Sequence, residues 1–307
     1  MARIGIVFAG QGTQAPGMGK SLCEASKAAA EVFARVDELR PGTKELCFEG
    51  PAEEQNRTKN TQPCLWTVEV AAVEALKAAG LKVEDTVAAG FSLGEIAALT
   101  YAGAADFETG FKLVCRRAEL MEAAAVKEDA TMAAVLKLDA PAVEKLCEGF
   151  PHIWPVNYNC PGQIAVAGLK TELASFADAV KEAGGRARIL NVAGAFHSPM
   201  MQEASEGFLQ VVKEASLKTP AIPLYSNFTG VPYEGDMTEL LCKQICSPVR
   251  WQAIVEHMAA QGVDTFVEVG PGKTLSGLIG RTVPEARTLQ VSDKDTLAET
   301  LEALGLC

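Results

Sequence analysis

Ser92 stands in Gly90-Phe91-Ser92-Leu93-Gly94, a G-x-S-x-G pattern that closes one apolar run, Val87-Ala88-Ala89, and opens another from Leu93 to Leu99. The first run has the length of a buried strand and the second reads as a helix, so the serine falls on a strand–turn–helix corner. Such a corner is sharp. A Cβ two residues before or after the serine would strike the neighbouring strand or helix, which accounts for both glycines. The turn pushes the hydroxyl out at the end of a helix, where backbone N–H groups can receive a developing negative charge. The chemistry that fits is acyl transfer or hydrolysis. It requires a base, because a serine hydroxyl is a weak nucleophile.

Three histidines compete for that role. His152 lies in the Pro151–Pro155 loop and His257 follows Glu256 in a helical stretch; both read as solvated or packing residues. His197, in Ala195-Phe196-His197-Ser198-Pro199, is the expected base. No carboxylate stands where an α/β-hydrolase would place its third member, since Asp129, Asp139 and Asp178 fall in or beside a separate small unit. A dyad, its imidazole oriented by a backbone carbonyl, is expected instead of a triad.

The elements that must position these residues alternate. A strand over residues 3–8 leads into Gly10-Gln11-Gly12-Thr13-Gln14, and a helix is expected from Ser21 to Leu39. A second helix runs from Pro63 to Gly80, with Leu65, Val68, Ala72 and Leu76 at helical spacing and Gly80 as its C-cap. The elbow strand and helix follow, then a helix from Asp106 to Ala125. This order argues a parallel α/β sheet. The pattern then changes to strand 131–138, helix 140–148, strands 154–159 and 163–167, helix 171–183 and strand 187–192, a ferredoxin-like β-α-β-β-α-β order. The expected architecture is a large α/β-hydrolase-like domain with a parallel sheet, residues 1–126 and 193–307, carrying an inserted small ferredoxin-like domain at 127–192. Beyond it a helix from Met200 to Ala215, a strand at Ile222–Ser226, a helix from Trp251 to Ala260 and a strand at Thr265–Val269 are expected.

Composition excludes several functions. A net charge of −11 argues against general nucleic-acid affinity. No apolar run approaches the ~20 residues of a membrane span, and the N-terminal apolar stretch is too short for a signal peptide. Nine cysteines without paired spacing read as reduced thiols, so a cytoplasmic protein is expected. Three histidines and no C-x-x-C argue against a zinc site. Gly10-x-Gly12-x-x-Ala15 satisfies a dinucleotide fingerprint literally. However, no apolar strand follows the next helix, where Arg40-Pro41-Gly42-Thr43 stands. Gly272-Lys273-Thr274 resembles the end of a P-loop, but the glycine required five positions earlier is Val267.

Taken together, the ordered motifs resemble the malonyl-CoA:acyl-carrier-protein transacylases and the acyltransferase domains of fatty-acid and polyketide synthases. The resemblance runs essentially end to end. It rests on Phe8-Ala9-Gly10-Gln11-Gly12-Thr13-Gln14, Gly90-Phe91-Ser92-Leu93-Gly94-Glu95, Arg117 with Met121, and Tyr158-Asn159-Cys160-Pro161-Gly162-Gln163. It continues through Gly194-Ala195-Phe196-His197-Ser198, Ser247-Pro248-Val249-Arg250-Trp251 and Val267-Glu268-Val269-Gly270-Pro271-Gly272. The resemblance implies that Ser92 attacks the thioester of malonyl-CoA, His197 takes its proton, and the backbone N–H groups of Gln11 and Leu93 hold the oxyanion. Arg117 would grip the free carboxylate through its planar fork, with Gln11, Met121, Asn159 and Phe196 around the acyl group. Phe196 favours malonyl over methylmalonyl by ~1–3 kcal/mol, the scale of one methyl.

The acceptor would be the phosphopantetheine thiol of an acyl-carrier protein, docked on a basic patch for which Lys273 and Arg281 are candidates. No cofactor is implied, since the coenzyme A thioester is substrate; a monomer is expected. Phe91 stands where most relatives carry histidine, and Arg250 where some carry glutamine near the catalytic histidine, which leaves the partner of His197 open. A malonate-decarboxylase malonyltransferase subunit, a trans-acting polyketide acyltransferase and, more distantly, a serine thioesterase or hydrolase are the alternatives.

Overall fold

The computed structural model describes residues 3–306; Met1, Ala2 and Cys307, and with them the N-terminal residues of the signal-peptide reading and the ninth cysteine, lie outside the described residues. The strands, in chain order, are β1 (Arg3–Phe8), β2 (Thr86–Gly90), β3 (Ala130–Leu136), β4 (Ile153–Cys160), β5 (Gln163–Leu169), β6 (Arg186–Ile189), β7 (Val263–Val269) and β8 (Arg287–Val291). They form two four-stranded sheets, ordered β2-β1-β7-β8 and β4-β5-β3-β6.

The first sheet is parallel throughout. β1 and β2 carry apolar runs, as strands covered on both faces do, whereas β8 at the edge is mixed in polarity and only partly buried. Phe8 lies opposite both Gly90 and Val269. Three loops therefore meet at the carboxyl edge of the sheet: Ala9–Thr13, the elbow, and Gly270–Gly272. That edge is where open α/β sheets bind ligands.

The second sheet is antiparallel. One face packs through Val135, Ile164 and Val166 on Leu173 and Phe176, while the other contributes Met132, Val156, Ala165 and Ala167 to the main core. The two units are also joined by backbone, since Val249 N–H donates to Val156 O and Tyr158 N–H to Val249 O, each at 2.9 Å.

Several expected elements differ. The helix expected at 21–39 is two, Lys20–Ala25 and Lys27–Leu39, because Ser26 adopts an extended conformation and its side chain caps the second helix by accepting from Ala29 N–H. The helix expected from Pro63 begins at Thr58, with Pro63 inside it. Ile222–Ser226 is not a strand of the sheet. Leu224 makes a single parallel bridge to Ala88, and Pro223, which has no N–H, prevents a longer ladder. Helices Thr43–Glu49, Thr238–Lys243 and Lys294–Leu304, together with β8, are further elements; the last helix carries Leu297, Leu301 and Leu304 at helical spacing behind an Asp293 capping box. The eight cysteines among the described residues are free thiols, and none of the described helices is long and apolar enough to cross a membrane.

One polar group in the core carries a stability consequence. Glu69, midway along the Thr58–Ala78 helix, is fully buried and neither carboxyl oxygen has a hydrogen-bond partner. Burial, and then the charge of Glu268, push its carboxyl well above the usual glutamate range. Glu268 is itself committed, accepting from Leu275 N–H, Ser276 N–H and the Ser276 hydroxyl. The native state thus keeps a proton on Glu69 that the unfolded chain releases near 4.5, so stability falls as pH rises above that value. Glu69→Met is expected to raise the thermal midpoint, at ~2–4 °C per kcal/mol recovered, and to do so more at about pH 8 than at about pH 5. A gain of equal size at both pH values in a thermal melt would show that the carboxyl charge is not the cause.

Candidate active site

The elbow is built by steric necessity. β2 stops at Gly90, the next helix (Gly94–Tyr101) starts four residues later, and Ser92 between them sits at φ 55°. A Cβ on Gly90 would lie 1.9 Å from the Gly94 carbonyl carbon, and one on Gly94 would lie 2.4 Å from Phe8 O. No side chain fits either place. The serine backbone is pinned from a distant segment: Asn227 Oδ1 accepts from Ser92 N–H at 2.7 Å, and Asn227 Nδ2 donates to Gly90 O at 2.6 Å. The amides of Leu93 and Gln11 make no hydrogen bond among the described residues, so both remain free to receive an oxyanion.

Ser92 Oγ lies 2.7 Å from His197 Nε2, and His197 Nδ1 lies 2.8 Å from the main-chain oxygen of Gln244. A carbonyl can only accept, so the proton sits on Nδ1 and Nε2 presents its lone pair to the serine. His197 is itself at φ 61°, a left-handed conformation that the surrounding packing holds in place. Burial, reinforced by the Arg117 cation, pulls its pKa down to about 3, against the smaller opposing pull of the Gln244 and Ser247 backbones. The ring is therefore neutral, the form a general base needs.

Arg117 projects from the Phe107–Ala125 helix and is 1% exposed. Its Nη1 donates to Gln62 Oε1 at 2.7 Å; its Nη2 donates to Gln244 Oε1 at 2.8 Å and to Ser92 Oγ at 3.2 Å. Nε has no partner. Burial lowers its pKa to about 10, so the guanidinium still carries its charge at neutral pH. A buried cation thus stands within hydrogen-bond distance of the Ser92 hydroxyl.

The cleft above these residues is lined by Gln11, Met121, Phe196, Met132, Leu190 and Val192, among others. Of the residues read from the sequence, Ser92, His197, Gln11, Met121 and Phe196 meet there, with Arg117 beneath. Leu93 contributes only its amide. Asn159 is a correction: it does not line the cleft, and Asn157 does. β4 is irregular between Tyr158 and Cys160, and Asn159 is the residue its pairing with β5 skips. Arg250 is exposed and donates to Phe228 O. The partner of His197, which that position left open, is the main-chain oxygen of Gln244. Lys273 and Arg281 are exposed at and on the Thr274–Thr282 helix and do not line the cleft. His152 hydrogen-bonds Glu172 and His257 the Tyr225 hydroxyl, both away from Ser92. Arg116 is exposed and pairs with Glu119. Phe91 rests edge-on against Trp251, ring centroids 5.6 Å apart.

The profile of the family described as acyl transferase domain matches residues 6–300. The chain belongs to the acyl transferase family. It is 38% identical, over 99% of its length and 98% of the relative's, to the malonyl CoA-acyl carrier protein transacylase of Bacillus subtilis. Among solved structures it superposes on the transacylase of that name from Clostridium perfringens with a TM-score of 0.95, at 37% identity over 99% of this chain and 98% of that one. It also resembles a malonyl-transacylase solved in complex with its type II PKS acyl-carrier protein (TM-score 0.93, 34% identity, 98% of this chain and 100% of that one). Those structures share its α/β fold with one parallel and one antiparallel sheet. In this acyl transferase the residues that sequence reasoning missed are Gln62, Asn157, Asn227 and Gln244. Each reaches the site from a different segment, and none stands in a local pattern that would have pointed to it.

Proposed function

We propose that the chain transfers the malonyl group of malonyl-CoA to the phosphopantetheine thiol of an acyl-carrier protein, through a malonyl ester on Ser92. What supports this above all is the buried Arg117 fork beside a Ser92–His197 dyad, because a cation placed there serves an acyl group that ends in a carboxylate. Ser92 Oγ attacks the thioester carbonyl as its proton passes to His197 Nε2. The oxyanion rests on the Gln11 and Leu93 amides, the C–S bond breaks, and the coenzyme A sulfur leaves with the proton from His197. The carrier thiol then gives its proton to His197, attacks the ester, and restores the serine. No oxidation state changes, so the transfer calls for no cofactor.

The finer architectural reading belongs with this proposal: a hydrolase-like large domain over 1–126 and 193–307, and a ferredoxin-like insert over 127–192, supported by the antiparallel β4-β5-β3-β6 order. Docking of the carrier on Lys273 and Arg281, a monomeric state and a cytoplasmic location are parts of the same reading. A polyketide carrier in place of a fatty-acid one would leave the chemistry unchanged. One experiment tests the transfer: incubation with malonyl-, methylmalonyl- and acetyl-CoA, with and without acyl-carrier protein, read by intact mass. Expected are a malonyl adduct on the protein, preference for malonyl, and transfer to the carrier that weakens with added salt. Rapid release of free malonate without a carrier would make the protein a thioesterase.

A further inference from the structure

Glu95 is fully buried in the first turn of the Gly94–Tyr101 helix, three residues past the nucleophile, and touches no reacting atom. Its Oε1 accepts from the Tyr233 hydroxyl at 2.5 Å and from Asn227 N–H at 3.1 Å; its Oε2 accepts from Gln244 Nε2 at 2.8 Å. Gln244 is the junction of the site. Its Nε2 also donates to Ser92 O at 2.7 Å, its Oε1 accepts from Arg117, and its main-chain oxygen holds the His197 ring. A guanidinium can only donate and a carboxylate can only accept. An amide held between the two has one orientation, oxygen to Arg117 and nitrogen to Glu95.

We infer that Glu95 is a positioning residue: as a carboxylate it locks the Gln244 amide, and through that amide it sets the Arg117 fork against the acyl site. A neutral group at position 95 weakens the lock: Ser92 O remains as an acceptor for the NH2, but the charged acceptor on its other hydrogen is gone. The amide is then held less firmly, and with it the Arg117 fork on the side facing Ser92. The inference rests on the malonyl-transfer reading, because it is the carboxylate grip that the lock serves. The titratable and charged groups that face Glu95 are Tyr233, which donates to it, and Arg117 and the neutral His197 across Gln244. Burial pushes its carboxyl up to about 7, against the pull of the Tyr233, Asn227 and Gln244 donors and of the Arg117 charge. The lock therefore opens on the acid side of neutrality.

The test measures single-turnover acylation of the full chain with malonyl-CoA and with acetyl-CoA across pH. In the wild-type protein malonyl acylation falls as pH drops through the region of about 7. In Glu95→Gln it is expected to be lower by about 10²-fold, the cost of a displaced catalytic contact, and to lose that fall. The acetyl reaction, which does not use the fork, declines less, so the malonyl-to-acetyl ratio drops. Equal losses with both acyl groups and an unchanged pH profile would overturn the inference. Tyr233→Phe provides a second arm that keeps the carboxylate but removes a donor to it. Its acid-side fall moves to higher pH, and an unmoved fall overturns the inference even where Glu95→Gln does not fold. A wild-type protein that takes up neither acyl group sinks the functional reading itself, which separates the two failures.

Discussion

Arg117→Ala is expected to abolish the preference for malonyl, lowering malonyl acylation by two orders of magnitude or more while acetyl transfer rises. Removing one partner of a buried charge pair costs about 3–5 kcal/mol, and the malonyl carboxylate would be left in the cleft without a counter-charge. Acetyl gains because it no longer enters beside a buried cation that it cannot satisfy. Of the five N–H groups of the fork, three are held by Gln62, Gln244 and Ser92 Oγ, which leaves donors for a carboxylate once the serine is acylated. Arg117→Lys is not a rescue, since an ammonium cannot keep Gln62 and Gln244 in place and also present two parallel bonds. Competition between malonyl- and acetyl-CoA, read by intact mass, checks this. An unchanged ratio would remove Arg117 from the acyl site.

Ser92→Ala and His197→Ala are expected to fail differently. Without the hydroxyl there is no ester, and no malonyl adduct should form at any incubation time; a persistent adduct would identify another nucleophile. Without the imidazole the adduct should still form, slower by about 10²–10⁴-fold, the usual contribution of a positioned base. Because His197 is held neutral with a pKa near 3, its own titration does not limit the rate near neutrality. It does tax stability. The unfolded chain takes up a proton near 6.5 that the native ring refuses, so this contribution to stability is lost as pH falls below that value. A thermal midpoint that drops between about pH 6.5 and pH 4 less steeply in His197→Phe than in the wild type would bear this out; parallel slopes would not.

The Ser92–His197 pair was legible because local rules carry it. Two glycines flank a serine at a strand–helix corner, and a histidine count of three leaves one candidate. Arg117 became legible through the order of motifs and not through its own helix, where an arginine is usually a surface charge. Gln244 and Asn227 were not legible. They meet the elbow from more than a hundred residues away, and what selects them is the geometry of their amides, which no periodicity records. Asn159 was placed by the resemblance alone; β4 skips a residue there, and the asparagine that lines the cleft is Asn157. The helix break at Ser26 and the failed strand at Ile222–Ser226 each turn on one residue, a capping serine and a proline without a donor.

The orienting group for the base is a main-chain oxygen, whereas the group that steadies Arg117 is the side chain of the same residue. Mutation at position 244 can remove the second, together with the bond from the same amide to Ser92 O, but not the first, because every amino acid brings a carbonyl. The orientation of the His197 ring is thereby genetically insulated at this position, while the hold on Arg117 stays open to change.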